Sequence, residues 1–148
     1  MVNKALLLGF LSVLILTSAV YGDITHQLPP EIRTLYRTLM QSENHDAKRA
    51  AAASLREIYE ETRSEDVIDV IIDLMRFTYN HNNFSEQNQR MFYDDMIAMR
   101  LIEILEISKD PRVFPTLIRV VARRNHTQRT IDAAWKAIKA IDWSKENK

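Results

Sequence analysis

The chain has 148 residues, with 20 Lys and Arg against 20 Asp and Glu, and no cysteine. Zero net charge excludes the broad basic field that draws proteins to nucleic acid or anionic membranes. The lack of cysteine excludes disulfides, zinc–thiolate sites, thiol nucleophiles and a lipid-modified cysteine, so the fold must stand on its packed core.

Met1–Lys4 is short and basic, and "ALLLGFLSVLILTSAV" from Ala5 to Val20 is almost wholly apolar. That run falls short of the about 20 residues a membrane span needs. Val20 and Gly22 suit the −3 and −1 positions of a cleavage site. Together these features predict a signal peptide over residues 1–22 and a mature domain over residues 23–148. An uncleaved membrane anchor is the alternative. An exported, cysteine-free domain is expected in the periplasm or secreted, most naturally from a bacterium. The sequons at Asn83 and Asn125 are then chance matches.

Both glycines, Gly9 and Gly22, lie in the leader. The mature chain therefore lacks the turn chemistry of tight β-hairpins. Apolar residues recur instead at three- and four-residue spacing, which predicts an all-α domain of six helices. The first spans about residues 29–41, with Pro30 in its first turn and Ile32, Leu35, Tyr36 and Leu39 as its stripe. The second spans about 46–62 behind Asn44 and is rich in alanine. The third spans about 65–80 behind Ser64, with Glu65 and Asp66 complementing its positive end. The fourth spans about 86–109 behind Ser85. The fifth, 111–123, opens on Asp110-Pro111 and carries Pro115 one turn in, where a proline interior to a helix costs about 3 kcal/mol. The sixth spans about 128–143 behind Thr127, and "SKENK" is a solvated tail.

The third and fifth helices align with an offset of 46 residues: Val67 over Val113, Ile68 over Phe114, Ile71 over Leu117, Ile72 over Ile118. The second and sixth share a pattern of small and large residues: Ala51, Ser54, Leu55 and Ile58 against Ala134, Ala137, Ile138 and Ile141. The fourth is looser, with Ala98, Met99 and Ile102. Three hairpins, about residues 29–62, 64–109 and 110–143, account for the domain. Asp110, Pro115, Ala133 and Ala134 in "DPRVFPTLIRVVARRNHTQRTIDAAWKAIKAID" resemble the HEAT-repeat family of α-solenoids. That resemblance implies a short α-solenoid of about three hairpins that binds proteins on its inner helix face. Asp69 stands where the pattern puts proline, and no unit has the glycine that often ends the second helix. Pro115 is then expected to kink the outer helix and leave the Pro111 carbonyl to water.

No H-E-x-x-H spacing, phosphate loop or nucleophile elbow occurs, and His26, His45, His81 and His126 read as exposed or capping residues. Tyr93-Asp94-Asp95 and Glu57, Glu60 and Glu61 lie among arginines and read as solvated faces. The chain is therefore expected not to be an enzyme and to need no cofactor or metal. The alanine register turns Arg56, Tyr59 and Glu60 of the first unit, Asp95, Arg100 and Glu103 of the second, and Arg129, Asp132, Lys136 and Lys139 of the third away from the stack. These are the candidate partner-binding residues. Trp135 is placed with the core, and Arg119, Arg123, Arg124 and Arg129 form a modest basic patch suited to an anionic lipid or a carboxylate-rich partner, though weak alone at physiological salt. A monomeric scaffold for another protein is the leading expectation. A self-associating envelope bundle comes second, and a metal-dependent hydrolase is a remote third.

Overall fold

A computed structural model describes residues 25, 27–80, 85 and 87–147. The signal-peptide reading lies outside the described residues, as do His26 and His81. The described chain is all-α, with six α-helices: α1 (Pro30–Gln41), α2 (His45–Thr62), α3 (Glu65–Phe77), α4 (Gln89–Ser108), α5 (Phe114–Arg123) and α6 (Gln128–Ala140). Two 3-10 turns, Pro111–Val113 and Trp143–Asn147, flank the last pair. No described helix is long and apolar enough to cross a membrane.

Side chains at the helix starts explain the boundaries. Asn44 accepts from the Ala47 N–H, Asp110 from the Arg112 N–H and Thr127 from the Thr130 N–H, each satisfying a donor the helix itself leaves unpaired. Ser64 holds the cap position of α3 without a capping hydrogen bond from its side chain. The expected start of α4 shifts from Ser85 to Asn88, whose Oδ1 accepts from the Met91 N–H. Asparagine is at least as good a cap as serine, so local chemistry alone does not separate the two.

The proline in α5 is resolved differently from expectation. Asp110-Pro111 opens a 3-10 turn, and the α-helix begins afresh at Phe114, so Pro115 falls in its first turn. A proline there loses no intrahelical hydrogen bond, because that N–H would be unpaired anyway. The Pro111 carbonyl is not left to water, since it accepts from the Phe114 N–H.

Without glycine, α2, α4 and α5 end on left-handed residues with side chains: Arg63 (φ 54°), Lys109 (φ 54°) and Arg124 (φ 52°). The left-handed turn reverses the chain tightly, and the Cβ of a residue other than glycine makes it costlier. Residues 144–146 are exposed, as expected of a solvated tail, and the segment is also tied to α4. The Asp142 N–H donates to the Lys109 carbonyl at 2.9 Å, and Lys145 Nζ donates to the Ser108 carbonyl at 3.3 Å. The C-terminal 3-10 turn thus closes over the end of α4.

Helices pair within each hairpin, α1 on α2, α3 on α4 and α5 on α6. Between hairpins α2 packs on α4 and α4 on α6, while α1 packs on α3 and α3 on α5. None of these main packing contacts joins a helix of the first hairpin to one of the third. Ala51, Ala52, Ala98, Ala134 and Ala137 are all buried where α2, α4 and α6 meet, and their small side chains let the backbones approach. Around them Leu55, Val67, Ile71, Leu74, Leu101, Ile102, Leu105 and Leu117 are fully buried. Each such side chain contributes about 1.5–3 kcal/mol of transfer free energy. Trp135, expected in the core, is instead exposed on α6, while Ile131, Ala134 and Ala137 are buried. At 100° per residue, Trp135 sits only 40° beyond Ile131 around the helix, and that small angle separates core from surface.

Candidate partner-binding face

The ten candidate residues divide by helical phase. Arg56, Glu60, Arg100, Arg129, Asp132, Lys136 and Lys139 are exposed and Glu103 is half-buried, while Tyr59 and Asp95 are buried. The exposed members on α2 and α4 form one linked group. Arg56 Nε donates to Glu60 Oε1 at 2.8 Å, and Arg56 and Arg100 both approach Glu103 Oε2, at 3.8 and 3.7 Å. Across the next seam Lys136 of α6 lies 3.2 Å from Glu106 of α4. The ion pairs therefore run across α2, α4 and α6 in order. Each is solvated and contributes at most about 1 kcal/mol. Between α2 and α4 the face opens into a groove of about 230 Å³, lined by Arg49, Ala52, Ala53, Arg56, Arg100 and Glu103. Its floor is alanine and its rim is charged. Asp132 is tied to Gln128 at 2.7 Å, and Trp135 adds an exposed aromatic surface to α6.

Asp95 and Tyr59 do not belong to this face. Tyr59 is buried, with Arg63 stacked 5.3 Å from its ring centre. Asp95 is buried because it caps the neighbouring hairpin. Its Oδ1 accepts from His126 Nδ1 at 2.7 Å and from the Thr127 N–H at 3.3 Å. Its Oδ2 accepts from the Thr127 and Thr130 hydroxyls at 2.6 and 2.9 Å. Burial pushes the Asp95 carboxyl up, but the hydrogen bonds from His126, Thr127 and Thr130 outweigh it and hold the group below the usual carboxylate range.

Asp94, one residue earlier, points the other way. It meets Lys48 of α2 at 2.9 Å, with side chains 11% and 5% exposed, so both charges are desolvated. Lys48 also lies 5.8 Å from the centre of the Tyr79 ring. The Tyr79 hydroxyl donates to the Leu39 carbonyl at 2.6 Å, and burial, aided by Asp94, pushes its ionisation well above the usual tyrosine value. The expected solvated run at Asp94 and Asp95 is therefore a buried polar seam, and His126 is a buried member of it rather than an exposed residue. Lys48 and His126 carried no local signal. The one cue was two adjacent carboxylates, Asp94 and Asp95, in a helix whose later turns are densely apolar.

Nothing in this arrangement is a nucleophile–base–orienter set. Among the described residues, no group of three His, Asp or Glu side chains is placed to hold a metal ion. Comparison with protein-family models, curated proteins and solved structures finds no match to this chain.

Proposed function

We propose that the chain is an exported HEAT-like repeat scaffold that binds another protein on the face formed by α2, α4 and α6. One observation carries this reading: the hairpins pack in sequence order, the second between the first and the third, so like helices lie side by side. In a closed bundle the first and third hairpins would share extensive contact. Stacking in order builds a continuous surface from the second helix of each hairpin, and such surfaces bind partners. The charged side chains on it are mixed in sign, with Arg56, Glu60, Arg100 and Lys136 exposed and Glu103 and Glu106 half-buried, beside the exposed aromatic Trp135. Arginine and tryptophan are the residues in which binding energy concentrates. The near-zero net charge favours a partner recognised by local complementarity over one drawn by a long-range field.

The test compares capture from envelope extracts by the wild-type protein and by the double variant Arg56→Glu/Arg100→Glu, at two salt concentrations. The expected result is a protein held by wild type and lost by the variant, with both forms showing the same helical circular dichroism. Capture indifferent to these substitutions, or no specific capture at all, overturns the reading. Mass spectrometry of the exported product tests the leader separately, with Asp23 expected at the N-terminus.

A further inference from the structure

A second feature lies off this face, where the N-terminal ends of α4 and α6 meet. A cleft of about 800 Å³ opens there, with Gln89, Phe92 and Tyr93 on one side and His126, Gln128 and Arg129 on the other. Among the described residues its lining holds no carboxylate, and Arg129 is its one fixed charge. Phe92 and Tyr93 stand edge to face at 5.9 Å and are 40% and 36% exposed. Both rings also engage other parts of the chain, so it is their exposed carbon that faces the cleft.

His126 supplies the independent observation. Its side chain is only 3% exposed, and its Nε2 is buried without a hydrogen-bond partner among the described residues. Buried polar atoms are nearly always paired, and the exceptions call for a reason. Asp95 accepts from Thr127 and Thr130, and as a carboxylate it can only accept from His126 Nδ1 as well. That contact fixes the proton on Nδ1 and leaves Nε2 of the neutral ring as a hydrogen-bond acceptor. Asp95 does not line the cleft whereas His126 does, so the ring meets the cleft by its other edge, the one that carries Nε2. Two neighbouring groups have the same polarity. Gln89 Nε2 donates to the Tyr93 hydroxyl at 3.4 Å and Gln128 Nε2 to Asp132 at 2.7 Å, which leaves both Oε1 atoms as acceptors.

We propose that this cleft binds a neutral sugar ring, with one of its hydroxyls donating to His126 Nε2. Acceptor-only groups, carboxylates among them, have no proton to give Nε2. A cation is opposed by Arg129, since like charges repel. The ligand is therefore neutral and rich in donors. A single N–H would serve one acceptor, whereas a ring of hydroxyls serves His126 Nε2 and the two glutamine Oε1 atoms as donor and Arg129 as acceptor. The C–H face of such a ring is apolar and rests on the exposed carbon of Phe92 and Tyr93. Aromatic walls with a few placed polar groups are the usual make-up of small-ligand sites, and the cleft falls within their usual range of about 300–1,000 Å³. The same chemistry comes from two sources, a free sugar or a residue within a glycan chain. The inference stands apart from the scaffold reading, because it rests on the cleft and not on the charged face.

The test is a titration of the purified protein at neutral pH with glucose, N-acetylglucosamine, maltotriose and triacetylchitotriose, followed by NMR of the histidine ring nitrogens. Cyclohexanol, a ring with a single hydroxyl, is the control. In the free protein the His126 Nε2 signal is expected to be that of an unprotonated nitrogen, and at least one sugar moves it upfield as its lone pair takes up a hydrogen bond. The affinity for that sugar falls about three- to tenfold in Gln128→Ala, the loss of one neutral hydrogen bond, and cyclohexanol binds more weakly by about tenfold or more. A trisaccharide that binds tighter than its monosaccharide assigns the cleft to glycan chains, and one that binds equally or more weakly assigns it to single sugars. Either outcome supports the proposal. A proton on Nε2 in the free protein, no movement of its signal with any of the sugars, a Gln128→Ala affinity equal to wild type, or cyclohexanol binding as tightly as the sugar overturns it. Gln128 is exposed, so the variant folds, and His126 is left intact throughout.

Discussion

Replacing Lys48 by methionine isolates the energetics of the buried seam. The ammonium is 2.9 Å from Asp94, and the two side chains are 5% and 11% exposed. Methionine matches the aliphatic stem of lysine but not its charge, so Lys48→Met leaves the Asp94 carboxylate buried without its partner. Breaking a buried pair from one side costs about 3–5 kcal/mol. A domain of this size has roughly 6–18 kcal/mol of total stability, so the single substitution removes a large fraction of it. The double variant Lys48→Met/Asp94→Leu removes both charges and fills the site with hydrocarbon, and such replacements come out about neutral or up to a few kcal/mol stabilising. Urea unfolding followed by circular dichroism at pH 7 measures all four corners of the cycle, wild type, both singles and the double. The expected pattern is a severely destabilised Lys48→Met protein and a double variant near wild type, a coupling of several kcal/mol. A Lys48→Met variant within 1 kcal/mol of wild type, or a double variant as unstable as the sum of its singles, refutes the argument that the charges are desolvated and mutually dependent.

Two further outcomes follow from the same contacts. The folded-state value of Asp95 is depressed, so its stabilising contribution is fully present above the unfolded carboxyl value of about 3.9 and is lost as pH falls through the lower folded value. Asp95→Asn therefore flattens the acid limb of a stability–pH curve measured by urea unfolding between pH 2 and 6, and an unchanged limb contradicts the assignment. At the end of α4, Lys109→Gly relieves a left-handed residue of its side chain and raises stability by about 0.5–1 kcal/mol in thermal unfolding. A loss of stability counts against that backbone geometry.

Much of the fold was legible because it rests on local signals. The three- and four-residue apolar spacing located all six helices, and Asn44, Asp110 and Thr127 are caps both in pattern and in structure. Where α4 starts was not legible, since Ser85 and Asn88 are equally plausible caps. The break at Phe114 was hidden because Pro111 and Pro115 each suit a first turn. The candidate site was read less well. Arg56, Glu60 and Arg100 are exposed as the alanine register implied. Asp95 and Tyr59 were misplaced because charge and polarity near the edge of a helical stripe do not fix burial. The partners of Asp94 and Asp95 lie 46 and 31 residues away, at Lys48 and His126. Pairings of that kind depend on how hairpins dock, which no local pattern records.

Asp94 and Asp95 are adjacent on one helix, yet one holds Lys48 of the first hairpin and the other holds the cap of the third. Arrays of helical hairpins usually fray from their ends, each unit contacting only its neighbours. Here a single dipeptide clasps both flanking units, so a shift of the middle helix by one residue would swing both carboxylates by about 100° and release both neighbours together. Melting from either end is thereby tied to the centre, which favours unfolding of the three hairpins as one unit over fraying.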